Sequence, residues 1–272
     1  MRVKQIATAG RRALTLAELL VASAIMVLIA AGLATLSATV HSANTYAHGR
    51  IVCAQHARVA LDRIEHAVEN AAVSEQFPAC LVVTEQVGSE ELPHTLVVWS
   101  PTATAANPSG LPLVKELAIY APDPAKPSRL TEFRASNNAN VVPAPSNVTA
   151  WRTLVESLKT SDTTEKIVLT DRLRTAPLSG EWTSNLTAAQ LRGVVRFHRL
   201  VAPSEQQWAE YKAGTRAWNA LAWPLDSYRT TSGTRAIACQ TELQVVAGHM
   251  ASAASTAVPF FGSAMRTHEL AR

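Results

Sequence analysis

The sequence predicts an α+β protein: one long N-terminal helix, apolar enough in its first half to cross a membrane and amphipathic in its second, packed on an antiparallel β-sheet head. Three observations carry this. An uncharged, proline-free run of 22 residues spans Leu19 to Val40. None of the 14 prolines precedes Pro78. Beyond Pro78 the helical period gives way to short β-rich runs separated by proline- and asparagine-rich segments. With 272 residues, 47% hydrophobic and 17% charged, the chain can bury a substantial core and is neither disordered nor disulfide-dense.

Residues 1–13 form a basic leader. Arg2, Lys4, Arg11 and Arg12 stand there without an acid and account for the whole formal net charge of +4. The remaining chain is balanced, so no nucleic-acid partner is expected, because phosphate binding needs a clustered excess of Lys and Arg. Four positive charges ahead of an apolar run act as a topology signal, holding the N-terminus in the cytoplasm. The chain is expected to cross the membrane once, with everything after about Val40 outside, which is the periplasmic side of the bacterial inner membrane if the cell is Gram-negative.

The spanning segment is placed at about 19–40. At 1.5 Å per residue it would reach roughly 33 Å, enough for a hydrocarbon core and its lipid. A cleaved secretory signal is the competing reading, with Ala30, Ala31 and Ala38 imitating a cut site, but its apolar core would measure only about 7–15 residues.

The helix is predicted to continue, within a segment bounded as 14–77, from Leu14 to about Val73. Ala54, Ala57, Leu61, Ile64, Val68 and Ala71 recur at steps of three and four, with Arg58, Asp62, Arg63, Glu65 and Glu69 between them, which gives one apolar and one wet face. A coiled-coil stalk would show the same period. Gly32 and the polar stretch from His41 to Gly49 are the candidate kinks.

The head is assigned to residues 78–272. Strands are predicted at Cys80–Thr84, Thr95–Ser100, Glu116–Tyr120, Leu130–Arg134, Lys166–Thr170, Gly193–Leu200 and Ile237–Val246. Ser204 with Gln207 three positions on has the order of a capping box, so a short helix is expected to start there. Trp208, Trp218 and Trp223 are assigned to core in preference to a contact surface.

No Gly-x-Ser-x-Gly, His-Glu-x-x-His, P-loop or Cys-x-x-Cys occurs, so no enzymatic activity, no cofactor and no metal are expected. His41, His48 and His56 read as a surface stripe, and Asp162 with Glu165 as solvated acids. An oxidising compartment permits one disulfide among Cys53, Cys80 and Cys239. Cys80 with Cys239 is the preferred pair, Cys53 with Cys80 the alternative, and three free thiols the third reading.

Glu18 is the odd residue, a lone acid at the cytoplasmic edge of the apolar run, where a charge needs a partner or a place among headgroups near Arg11 and Arg12. The run Arg11-Arg12-Ala13-Leu14-Thr15-Leu16-Ala17-Glu18-Leu19-Leu20 resembles the prepilin leader junction of type IV pilins and type II secretion pseudopilins. The resemblance implies a pilin-like fold and cleavage by a prepilin peptidase between Ala13 and Leu14. It also implies methylation of the new N-terminus, with Glu18 fifth in the mature chain. Ala13 and Leu14 stand where that family usually has Gly and Phe. Glu18 would then pair with the terminal ammonium of a neighbouring subunit's Leu14. The implied partners are other pilin or pseudopilin subunits, the prepilin peptidase and an inner-membrane assembly platform. The large head, with Leu61-Asp62-Arg63-Ile64-Glu65 late in the helix, is similar to the minor pseudopilins. A signal-anchored periplasmic enzyme or sensor, in which Glu18 is incidental, is the alternative.

Overall fold

The computed structural model describes residues 15–87, 90–183, 186–224, 228–247 and 257–272. The fold is α+β and divides into two units, 1–49 and 50–272. Helix α1 (Leu16–Glu69) forms the described structure of the first unit and enters the second.

In the second unit, β1 (Cys80–Val87), β2 (Glu90–Trp99), β3 (Leu117–Pro122), β4 (Leu130–Arg134) and β5 (Glu165–Thr170) pair in sequence order as an antiparallel sheet. Helix α2 (Val148–Thr160) lies between β4 and β5 in the chain. Strands β6 (Thr175–Pro177) and β7 (Leu191–Gly193) make a short ribbon. Strand β8 (Val195–Ala202), β9 (Ser232–Val246) and β10 (Ala257–Ala271) form a second antiparallel sheet in the order β10-β9-β8. Helix α3 (Glu205–Lys212) follows β8.

Strand β3 is buried along its whole length, as is the second half of β2. The reason is coverage on both faces, which replaces the alternation of a half-exposed strand with a continuous apolar run. On one face, Ala57, Ala60, Leu61, Ile64 and Val68 of α1 pack with Leu96, Val98, Ala118 and Tyr120, and with Phe197, Ile237 and Leu243 of the second sheet. On the other, Trp151, Val155 and Leu158 of α2 meet Val97, Trp99, Ile119 and Phe133. Burying a side chain such as Ile64 contributes about 1.5–3 kcal/mol. The alanines of α1 let its backbone come close. Gly262 of β10 does the same from the other side: a Cβ there would meet Leu61 Cδ2 at 2.9 Å and Glu65 Oε1 at 2.5 Å.

Charged contacts fix the same helix. Arg63 Nε donates to Glu132 Oε2 at 2.8 Å, and Glu132 also takes Arg134 Nε at 2.5 Å. Ser263 N donates to Glu65 Oε1 at 3.0 Å, and Arg266 Nη1 to the Glu69 carbonyl at 3.1 Å. On the α2 side, Lys159 Nζ meets Glu85 Oε2 at 2.5 Å and Arg152 Nε donates to the Thr84 carbonyl at 2.7 Å.

All seven predicted strands are present, with boundaries shifted by up to about five residues. The apolar stripe of α1 begins at Cys53, which is buried, and not at Ala54, which is exposed. The helix ends at Glu69 and not near Val73. Asn70 Nδ2 donates to the His66 carbonyl at 2.8 Å, and two residues on Ala72 N donates to the Trp99 carbonyl at 2.9 Å, so the chain leaves the helix to meet the end of β2. The predicted capping box holds, with Gln207 N donating to Ser204 Oγ at 3.2 Å and Ser204 N to Gln207 Oε1 at 3.3 Å. Trp208, Trp218 and Trp223 are buried together with Leu221 and Leu270, apart from the two larger cores.

Candidate membrane anchor and assembly site

One helix of the described residues, α1, is long and apolar enough to cross a membrane, near the N-terminus. Its residues from Leu16 to His48 are exposed, among them Leu19, Leu20, Ile25, Leu28, Ile29, Leu33 and Leu36. An apolar surface of that extent needs lipid or other helices against it.

Five hydroxyl side chains within it are satisfied locally. Ser23 Oγ donates to the Leu20 carbonyl at 2.9 Å, Thr35 Oγ1 to Gly32 at 2.8 Å and Thr39 Oγ1 to Thr35 at 2.9 Å. Ser42 and Thr45 bond back in the same manner, to Thr39 and His41. Hydroxyls folded back onto carbonyls three or four residues earlier present no unmet donor to an apolar medium.

Glu18 sits in the first turn of α1. Its Oε2 accepts from Thr15 N at 2.9 Å and from Thr15 Oγ1 at 3.1 Å, while Thr15 Oγ1 accepts from Glu18 N at 3.3 Å. Thr15-x-x-Glu18 is thus a capping box, a signal present in the sequence itself. It satisfies backbone groups at a helix start, where four N–H groups lack intrahelical partners and bilayer hydrocarbon offers none. It also engages only one carboxylate oxygen of Glu18 among the described residues. A carboxylate has further lone pairs for an ammonium, so the box and an intermolecular pair are chemically compatible. Ala13 and Leu14 lie outside the described residues.

The other residues singled out in the sequence fall as follows. His41 and His48 are exposed, whereas His56 is half-buried, its Nδ1 3.3 Å from Thr170 Oγ1. Asp162 and Glu165 are exposed. Leu61 and Ile64 are core, and Arg63 and Glu65 bind the head of their own chain through Glu132 and Ser263. The three cysteines are buried free thiols. Contact with Cys239 holds the Cys80 thiol below its ordinary value, and contact with Cys80, together with burial, pushes Cys239 far up. Cys53 lies outside that contact, its thiol raised by burial.

Comparison of the chain with known protein families, with curated proteins and with solved structures returned no match.

Proposed function

We propose that the protein is a structural subunit, a minor pilin or pseudopilin, of a type IV pilus-like or type II secretion filament. In this reading it is held in the inner membrane by the first half of α1, with residues 50–272 in the periplasm. A prepilin peptidase removes residues 1–13, and an assembly platform extracts the mature chain into the filament through its helix. The observation that carries the reading is the junction Arg11-Arg12-Ala13-Leu14 placed directly ahead of an apolar helix whose fifth residue from the cut is Glu18. An apolar helix that enters the core of an antiparallel α+β head supports it.

The capping box favours a second reading, a signal-anchored periplasmic enzyme or sensor domain, because it gives Glu18 a task that needs no neighbour. The two part on one substitution. Gln serves at the third position of a capping box as Glu does, but it cannot form an ion pair. In a complementation assay for filament assembly, Glu18→Gln and Glu18→Ala should both insert in the membrane normally and both reduce incorporation at least tenfold. Wild-type incorporation of Glu18→Gln would reduce Glu18 to a helix cap.

A further inference from the structure

Cys80 opens β1 of the five-stranded sheet, and Cys239 lies midway along β9 of the three-stranded sheet. Both side chains are closed off from solvent, at 0% and 1% exposure. Their approach is fixed by contacts that do not involve sulfur. Arg199 stands directly opposite Cys239 in the β8–β9 ladder and sends Nη1 across to the Cys80 carbonyl at 3.2 Å. The same core cluster holds Leu96, Val98, Ile237 and Leu243 around them. Both cysteines belong to that one cluster, so the sheets that carry them are already docked against each other around the pair.

We propose that Cys80 and Cys239 form an intramolecular disulfide that staples the five-stranded sheet to the three-stranded sheet, while Cys53 remains a thiol. The inference rests on the periplasmic placement given under Proposed function, since a disulfide persists in an oxidising compartment. The oxidant is a protein disulfide of that compartment. One cysteine, as thiolate, attacks a sulfur of the oxidant's disulfide, forming a mixed disulfide and releasing the oxidant's first thiolate. The second cysteine, as thiolate, then attacks the protein sulfur of the mixed disulfide, and the oxidant leaves as its dithiol. The chain loses two protons and two electrons, and the oxidant gains both pairs. Because the docked sheets cover both sulfurs, exchange takes place while the head is folding, and the finished bond is shielded from thiol reductants. Cys80 and Cys239 stand far apart in sequence, so the bond constrains most of the head in the unfolded state, where long loops contribute most.

The test uses the full chain in membranes of a Gram-negative host, with alkaline phosphatase fused after Arg272 as a compartment reporter. Free thiols are trapped with N-ethylmaleimide in denaturant, and the digest is mapped without reduction. The expected result is a linked peptide pair containing Cys80 and Cys239, with Cys53 alkylated, and the same link in Cys53→Ala. Three alkylated cysteines beside an active phosphatase would overturn the proposal, as would a link through Cys53. If the phosphatase is inactive, the topology has failed separately. The full chain is then refolded in detergent with oxidised and reduced glutathione. Selective linkage of Cys80 to Cys239 there supports the pairing, and its absence overturns it.

Discussion

Glu132 couples the amphipathic part of α1 to the sheet through a carboxylate with no exposed surface. Burial alone would raise its pKa, but hydrogen bonds from Arg63 and Arg134 and their charges outweigh burial and hold it below the ordinary 4.5. A carboxyl depressed in the folded state contributes stability that is complete above its unfolded pKa and is lost as pH falls through the folded one. His268 adds an earlier window. Burial, and then Arg235 and Arg266, push its pKa down to about 4 from the usual 6.5. The unfolded chain therefore takes up a proton there before the folded chain does, and stability falls as pH drops from 6.5 toward 4. Thermal melts of the detergent-solubilised chain should show a plateau above pH 6.5, a decline below it and a steeper loss below about 4.5. Glu132→Ala should cost about 3 kcal/mol at neutral pH by leaving Arg63 and Arg134 without their carboxylate, and should flatten the most acidic part of the profile. A profile level from pH 6.5 to 4 would contradict the His268 assignment, and one that shows no loss below 4.5 would contradict that of Glu132. Neither group was legible in the sequence, because a Glu in Leu130–Arg134 or a His near the C-terminus carries no sign of what faces it. Glu18 differs: its position at the edge of the apolar run is legible, and so is Thr15 three residues before it.

Among the elements, α1 was readable from two periods, an uninterrupted apolar run and then a stripe at steps of three and four. Tertiary contacts moved the stripe's first residue to Cys53 and the helix end to Glu69. Strands β1 to β5, β8 and β9 were readable as short β-rich runs. Strand β10 was not. Its inward positions include Gly262, Arg266 and His268, which break the apolar alternation, because Gly262 admits α1 and Arg266 reaches the Glu69 carbonyl. Helix α2 was also passed over, although Asn147 caps it by accepting from Ala150 N at 3.1 Å and Trp151, Val155 and Leu158 line its buried face. Pro143 and Pro145 just ahead of Asn147 give a loop signal that masks the helix start. At Gly193, in β7, the packing leaves no room for a side chain: a Cβ would stand 2.6 Å from the Pro127 carbonyl oxygen and from Leu173 Cδ2, and 2.9 Å from Pro122 Cβ. A backbone oxygen cannot rotate away, so Gly193→Ala should destabilise the chain by about 1–3 kcal/mol. Denaturant midpoints compared at equal slope would measure this, and an unchanged midpoint would show that the β6–β7 ribbon packs more loosely than described.

For the whole molecule, the sequence divided its residues by solvent. The first half of α1 exposes an apolar surface that only lipid or neighbouring helices can cover, and the described part of residues 50–272 buries most of its apolar side chains in three clusters. That division was legible because it depends on composition and period alone. Which faces meet was not, since strand register and the close approach of α1 to Gly262 depend on residues far apart in the chain. The proposed role in a filament depends on something else again, removal of the leader with retention of the helix. The most direct test is intact-mass and N-terminal peptide mass spectrometry of the membrane fraction after expression beside a prepilin peptidase. A chain beginning at methylated Leu14 and still held in the membrane is the expected result. An intact leader would contradict the account in favour of a signal anchor, and a chain beginning beyond Ala30 would make it a secreted protein.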